Sequence, residues 1–254
     1  MPLVIPAYFS LSKSPRYSLT FALPLLVIYE LMANAIQGPT GGLRNGADVM
    51  LKALFSSVAG PSGPLIFSAL LVITIVALAV RDVRRNPGGL RARVFLLMLV
   101  ESAALALLLG FVVGLITAQL VTTFTVLSIG QRAAPGTLGS LGWPTALTVS
   151  LGAGLYEELL FRVLIVGGLM IAGRRLMGWG PVTTKAFAVL GGALVFAAFH
   201  YVGPYGDALE LKSFVFRTVA GLAFSGLFVA RGFGITAWTH SLYDVFLVMA
   251  RSFT

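Results

Sequence analysis

The sequence contains no cysteine, which excludes disulfides, thiolate metal sites and cysteine nucleophiles. It is also short of charge: Asp, Glu, Lys and Arg make up 11% of the 254 residues against 57% hydrophobic, and the mean hydropathy is +0.94. A soluble or disordered chain does not have that balance, whereas a polytopic membrane protein does. Acidic residues are the scarcer sign, nine against eighteen basic ones. The excess base forms no single face or tail and is spread through short loops between apolar runs, so nucleic acid is excluded as a partner. Internal repeats, low-complexity tracts and long linkers are absent as well. One integral membrane domain over residues 1–254 is therefore expected, with its motif-bearing core at about 144–250.

What is present is apolar and periodic. Runs near 18–36, 63–80, 94–116, 144–172, 184–202, 213–230 and 233–250 each approach the ~20 residues that a ~30 Å hydrocarbon core requires. They predict an all-α polytopic bundle of about seven spans. The third run continues to Leu127, so a break near Gly114 would add an eighth element. Met50, Leu51, Leu54, Phe55 and Val58 recur at helical spacing after Asp48, predicting a short helix that lies in the interface or is partly buried beneath a loop. Lys13 and Arg16 ahead of a run ending in Ala33-Asn34-Ala35 resemble a signal peptide, but Glu30 inside that run and the later spans favour a retained first helix. Lys and Arg placement sets a cytoplasmic amino terminus. That orientation gathers Lys13, Arg16, Arg81, Arg84, Arg85, Arg91, Arg93, Arg174, Arg175, Lys185 and Arg231 inside, and leaves Arg44, Lys52, Arg132, Lys212, Arg217 and Arg251 outside.

The fourth run is interrupted by YEELLFR, residues 156–162. Ionised groups in hydrocarbon cost several kcal/mol each and mark functional sites. On an α-helix Glu158 and Arg162 stand four apart with the glutamate N-terminal, the better orientation for a pair. Glu157 is turned about 100° away from that pair and is left available as a general base. Both histidines of the chain also fall at membrane depth. FAAFH ends the fifth run at His200 with Phe196 one turn before it, and HSLYD places His240 and Asp244 on one face of the seventh. A single buried histidine is commonly a helix-to-helix contact. Two of them, with Glu157 and Asp244, make a convergent polar cluster on three spans.

The succession Glu157-Glu158-Leu159-Leu160-Phe161-Arg162, Phe196-Ala197-Ala198-Phe199-His200 and His240-Ser241-Leu242-Tyr243-Asp244 resembles the EExxxR, FxxxH and HxxxN/D motifs of the CPBP (Abi, CAAX-protease-like) intramembrane endopeptidases. That resemblance implies peptide-bond hydrolysis inside the bilayer. It makes Glu157 the base that activates water, His200 a residue that positions the water, and His240 the donor to the oxyanion, with Glu158, Arg162 and Phe196 in support. Many members carry Asn where this chain has Asp244, and an ionised aspartate only accepts hydrogen bonds. Asp244 then acts protonated, or orients His240, or ligates a metal. Glu157, His200, His240 and Asp244 would suit zinc or another divalent ion. No HExxH is present, and a metal-free reaction without cofactor is favoured.

A proton-coupled transporter is the competing class, although no pair of interrupted spans marks an inverted repeat. A non-catalytic immunity or assembly scaffold is a third. Compact loops point to a bacterial cytoplasmic membrane and a membrane-associated protein or peptide substrate: a prenylated CAAX tail, a peptide precursor or a sorting tail. The polar chamber is expected to open toward the cytoplasmic half. Counted at ~1.5 Å per residue, Glu157 and His240 lie ~10 and ~12 Å from the cytoplasmic side but His200 ~22 Å, so the cluster closes only if the fifth helix tilts or starts outside the hydrocarbon. Glu30 and Glu101 are expected to make interhelical contacts, and the glycine pairs 167–168 and 191–192 to allow close packing.

Overall fold

The computed structural model describes residues 5–36, 43–125, 142–202 and 206–252, and every regular element among them is helical. In chain order they are α1 (Ile5–Lys13), α2 (Pro15–Ala35), α3 (Gly46–Ala59), a 3-10 turn (Gly60–Ser62), α4 (Gly63–Arg85), α5 (Ala92–Thr125), α6 (Trp143–Gly152), a π-helical segment (Ala153–Val166), α7 (Gly167–Arg175), α8 (Pro181–Phe199), α9 (Leu211–Arg231) and α10 (Phe233–Ser252). Helices thus occupy all seven apolar runs. Five stretches are long and apolar enough to cross a membrane: Pro15–Ala35, Gly46–Arg85, Ala92–Thr122, Pro181–Phe199 and Leu211–Arg231. The run from α6 through α7 is continuous helix, with Glu157, Glu158 and Arg162 in its middle and Arg174 and Arg175 at its end.

Local chemistry sets these boundaries. Proline stands in the first turn of α2, α4, α6 and α8, where its missing N–H is an orphan anyway and its fixed φ is already helical. Gly232, at φ 81°, lets the chain reverse from α9 into α10 across a single residue. α5 runs unbroken through Gly114 for 34 residues, or ~51 Å. Of the two readings of the third run, one long helix or a break near Gly114, the structure has the long helix. An eighth element, and Arg132, would fall outside the described residues.

Packing brings the motif-bearing helices to the centre. Leu25 and Tyr29 of α2 meet Leu155, Tyr156 and Phe161 of the π-helical segment, Phe196 of α8 and Ala237 of α10 in one buried cluster. Leu65 and Phe111 are 74% and 71% exposed, as befits a surface facing lipid. Close approach relies on particular glycines: a Cβ on Gly154 would lie 2.0 Å from Ser241 Oγ, and one on Gly192 would lie 2.4 Å from Val166 Cγ2. The expectation for the glycine pairs is half right. Gly192 does admit a neighbour, whereas Gly168 faces open space.

One end of the bundle is tied together by basic residues. Arg16 donates to the carbonyls of Asn86 and Gly88 at 2.6 and 3.0 Å, and Arg231 reaches Ser12 and grips both oxygens of Glu101 at 2.6 and 2.8 Å. Glu101 is thus an interhelical contact, as expected. α3 lies deeper than an interfacial helix. Its first turn is buried at Ala47, Asp48 and Leu51, because Asp48 is engaged by Arg44, Lys52 and Tyr29, while its far end exposes Val58 at 87%.

Candidate active site

The site is built on the π-helical segment. Gly167 N–H donates to the Arg162 carbonyl, five residues back, in the wide geometry that usually occurs as a bulge at functional sites. The α-helical spacing read from the sequence is therefore not the local geometry. Even so, Glu158 and Arg162 meet, with Nε 3.2 Å from Oε2 and both side chains wholly buried. Arg162 also lies over the face of Phe196, 4.6 Å from the ring centre. Its two terminal nitrogens have no hydrogen-bond partner, so the guanidinium is held by charge and stacking.

The other oxygen of Glu158 lies 2.8 Å from His240 Nδ1. A carboxylate accepts, so Nδ1 carries the proton and Glu158 fixes the ring's orientation. The ring is also stacked on Phe224 at 4.4 Å. Asp244 stands on the opposite side, with Oδ2 3.7 Å from Nε2, an ion-pair distance and not a hydrogen bond. Of the two carboxylates beside the ring, the closer comes from Glu158, on the π-helical segment.

His200 is the C-cap of α8. Its Nδ1 lies 2.8 Å from the Phe196 carbonyl, which can only accept, so Nδ1 donates and Nε2 of the neutral ring presents a lone pair. The His200 ring stands edge-on to Phe196 at 4.8 Å, and Phe196 in turn meets Phe161 at 5.1 Å, which binds α8 to the π-helical segment.

Glu157 joins these groups. It interacts electrostatically with His200, His240 and Arg162, and Asp244 interacts with Glu157, Glu158 and His240. The depth gap counted for His200 is not present. Glu157 and His200 interact electrostatically; a count from the start of α8 at Pro181 would only set His200 deeper, so the two meet through tilt or a start outside the hydrocarbon. Glu157, His200 and Asp244 are partly accessible, whereas Glu158, Arg162 and His240 are buried. All seven residues singled out by sequence thus fall in one neighbourhood, three partly accessible and four buried. Among the described residues, no three His, Asp or Glu side chains form a group that could hold a metal ion. These side chains offer proton transfer and hydrogen bonding of their own.

One contact was invisible to spacing. Asn45 Nδ2 donates to Glu157 Oε1 at 2.8 Å from the turn before α3. The sequence signals Asn45 only as a helix cap. Glu30 is an interhelical contact, accepting from Lys52 at 2.7 Å and from Tyr156 at 2.6 Å. The site also lies away from the Arg16–Asp82 end. Arg231, at the end of α9, reaches Ser12 at that end, so the opposite end carries the end of α8 with His200.

Residues 139–246 match the family model Rce1-like, type II CAAX prenyl endopeptidase Rce1-like. The match contains every motif residue and excludes Asn45. No curated protein and no solved structure matches the chain.

Proposed function

We propose, from the match of residues 139–246 to the Rce1-like model of type II CAAX prenyl endopeptidases, that the chain is an integral membrane peptidase of the CAAX type acting by glutamate-activated hydrolysis at Glu157. The water lies between Glu157 and His200. Nε2 of His200 accepts one of its hydrogens, and Glu157 takes the other as the oxygen attacks the substrate carbonyl. The oxyanion is met by His240. Because Nδ1–H is committed to Glu158, donation from Nε2 requires the doubly protonated ring, and Glu158 supplies its counter-charge. Glu157 then passes its proton to the departing amine. Asp244 contributes as a neutral acid, donating to the same oxygen. Arg162 neutralises Glu158 and, through Phe196, keeps α8 in register.

The single observation that carries this reading is that Glu158, the neighbour of the partly accessible Glu157, lies 2.8 Å from His240 Nδ1, which sets the His240 ring beside the candidate base. The substrate is a membrane-associated protein or peptide, and the location a bacterial cytoplasmic membrane. In nanodiscs, an internally quenched farnesylated peptide ending in a CAAX sequence and its unprenylated counterpart serve as probes. Wild type cleaves at least one, and Glu157→Gln lowers kcat by about 10²–10⁴-fold, the range of a lost general base. Equal rates for the two proteins would refute the mechanism. Metal analysis and chelation are run in parallel, and inactivation by chelator with recovery on a divalent ion would replace the glutamic mechanism by a metal-dependent one. Proton flux that depends on Glu157 without any cleavage would favour the transporter class.

A further inference from the structure

We propose that Asn45, outside the segment that matches the family, is a positioning residue that fixes which oxygen of Glu157 takes the proton from water; this rests on the hydrolytic reading above. Besides its carbonyl, which accepts from Val49 N–H at 3.0 Å, three groups of Asn45 are bonded. Its backbone N–H donates to the Tyr29 hydroxyl at 3.2 Å, its Oδ1 accepts from Ala47 N–H at 2.9 Å, and its Nδ2 donates to Glu157 Oε1 at 2.8 Å. The second bond decides the third. With Oδ1 committed to the helix cap, the amide cannot flip, and only an N–H can face Glu157. Oε1 is therefore occupied by a donor and Oε2 is left for the water.

The mount is rigid. Asn45 is 3% exposed. Tyr29, which receives its backbone, donates to Asp48 at 2.7 Å, and Asp48 is clamped by Arg44 and Lys52 at 2.9 and 2.7 Å. Gly152 leaves room for the approach: a Cβ there would sit 2.7 Å from Asn45 Cβ and 2.5 Å from the Tyr29 ring. A carboxylate held by a single charge-assisted bond from a fixed donor keeps one orientation, which a general base needs to stay within reach of its water. α3, a helix that the motifs do not touch, thereby completes the site.

The competing explanation is that Asn45 only caps α3. Ser and Asp cap as well as Asn does but offer no amide donor to Glu157. Asn45→Ser and Asn45→Asp, in nanodiscs with the farnesylated quenched peptide, are expected to lower kcat by about 10- to 100-fold, the range for losing a hydrogen bond to a charged group. KM stays within about twofold, and in Asn45→Ser, where the cap survives, the melting temperature changes little, whereas Asn45→Asp sets a second carboxylate against Glu157 and should melt lower. A cap-only role predicts unchanged kcat in both variants, and that result would overturn the proposal. An activity-independent arm reads the contact itself. The infrared carboxyl band of Glu157, isolated by subtracting the Glu157→Gln spectrum, should move in Asn45→Ser, and an unmoved band rejects the contact. Should wild type cleave no peptide at all, the hydrolytic reading fails, and the infrared result still decides for or against the Asn45–Glu157 bond.

Discussion

At the scale of single residues, the two sides of the His240 ring are unequal, and each side makes its own prediction. On the Nδ1 side, Glu158 and Arg162 are wholly buried and lean on each other. Removing one charge strands the other: Arg162→Leu should destabilise the protein by about 3–5 kcal/mol in detergent unfolding. Replacing both, Glu158→Leu with Arg162→Leu, should bring stability back toward wild type, since an apolar pair of similar volume has no charge to desolvate. Activity should not return, because His240 has lost the acceptor that orients it. Recovery of cleavage in the double variant would show that Glu158 serves only Arg162. On the Nε2 side, Asp244 lies 3.7 Å away and is partly open. If it works as a donor, Asp244→Asn keeps the donor permanently and should cleave at least as fast as wild type, while Asp244→Leu should lose about 10²-fold in kcat, as for a missing oxyanion donor. A slow Asn variant would mean that the ionised carboxylate is the working form.

At the scale of elements, the π-helical segment and α10 are joined at Gly154, where a Cβ would press on Ser241 Oγ at 2.0 Å and on the Ala237 carbonyl at 2.4 Å. Two of those three near atoms are backbone, so relief requires moving α10. Gly154→Ala should therefore destabilise by about 1–3 kcal/mol and slow cleavage by moving His240 off Glu158. Gly168→Ala, facing open space, should stay within about 0.5 kcal/mol of wild type. Equal melting temperatures for the two variants would contradict the packing. These glycines also show where reading the sequence stops. Spacing found both glutamates, Arg162, both histidines and their helices, because charge in a greasy run needs no neighbours to be conspicuous. It singled out Gly167 and Gly168 instead of Gly154, since a glycine's use depends on what lies opposite. The π-helical geometry and the reach of Asn45 across to Glu157 escaped for the same reason: neither is periodic in the sequence.

At the scale of the whole molecule, hydropathy alone placed the seven helical runs, because a bilayer demands length and apolarity and little else. Depth along each helix was not legible, since counting from charged residues assumes straight, upright helices with known starts. The consequence is the direction in which the site opens. Arg16 binds the connection after α4, and Arg231 binds α1, so one end of the bundle gathers these arginines. The partly open His200 lies toward the other end, where the chain passes from α8 to α9. If positive charge is cytoplasmic, substrate reaches Glu157 from the opposite half of the membrane. The absence of cysteine makes the test direct. Single cysteines are introduced as Leu209→Cys, at a residue 72% exposed beyond α8, and as Arg84→Cys, exposed in the last turn of α4, and are labelled with a membrane-impermeant maleimide on expressing bacterial cells. Leu209→Cys should label in intact cells and Arg84→Cys only after permeabilisation. The reverse pattern would turn the bundle over, set the arginine end outside and open the candidate site to the cytoplasm.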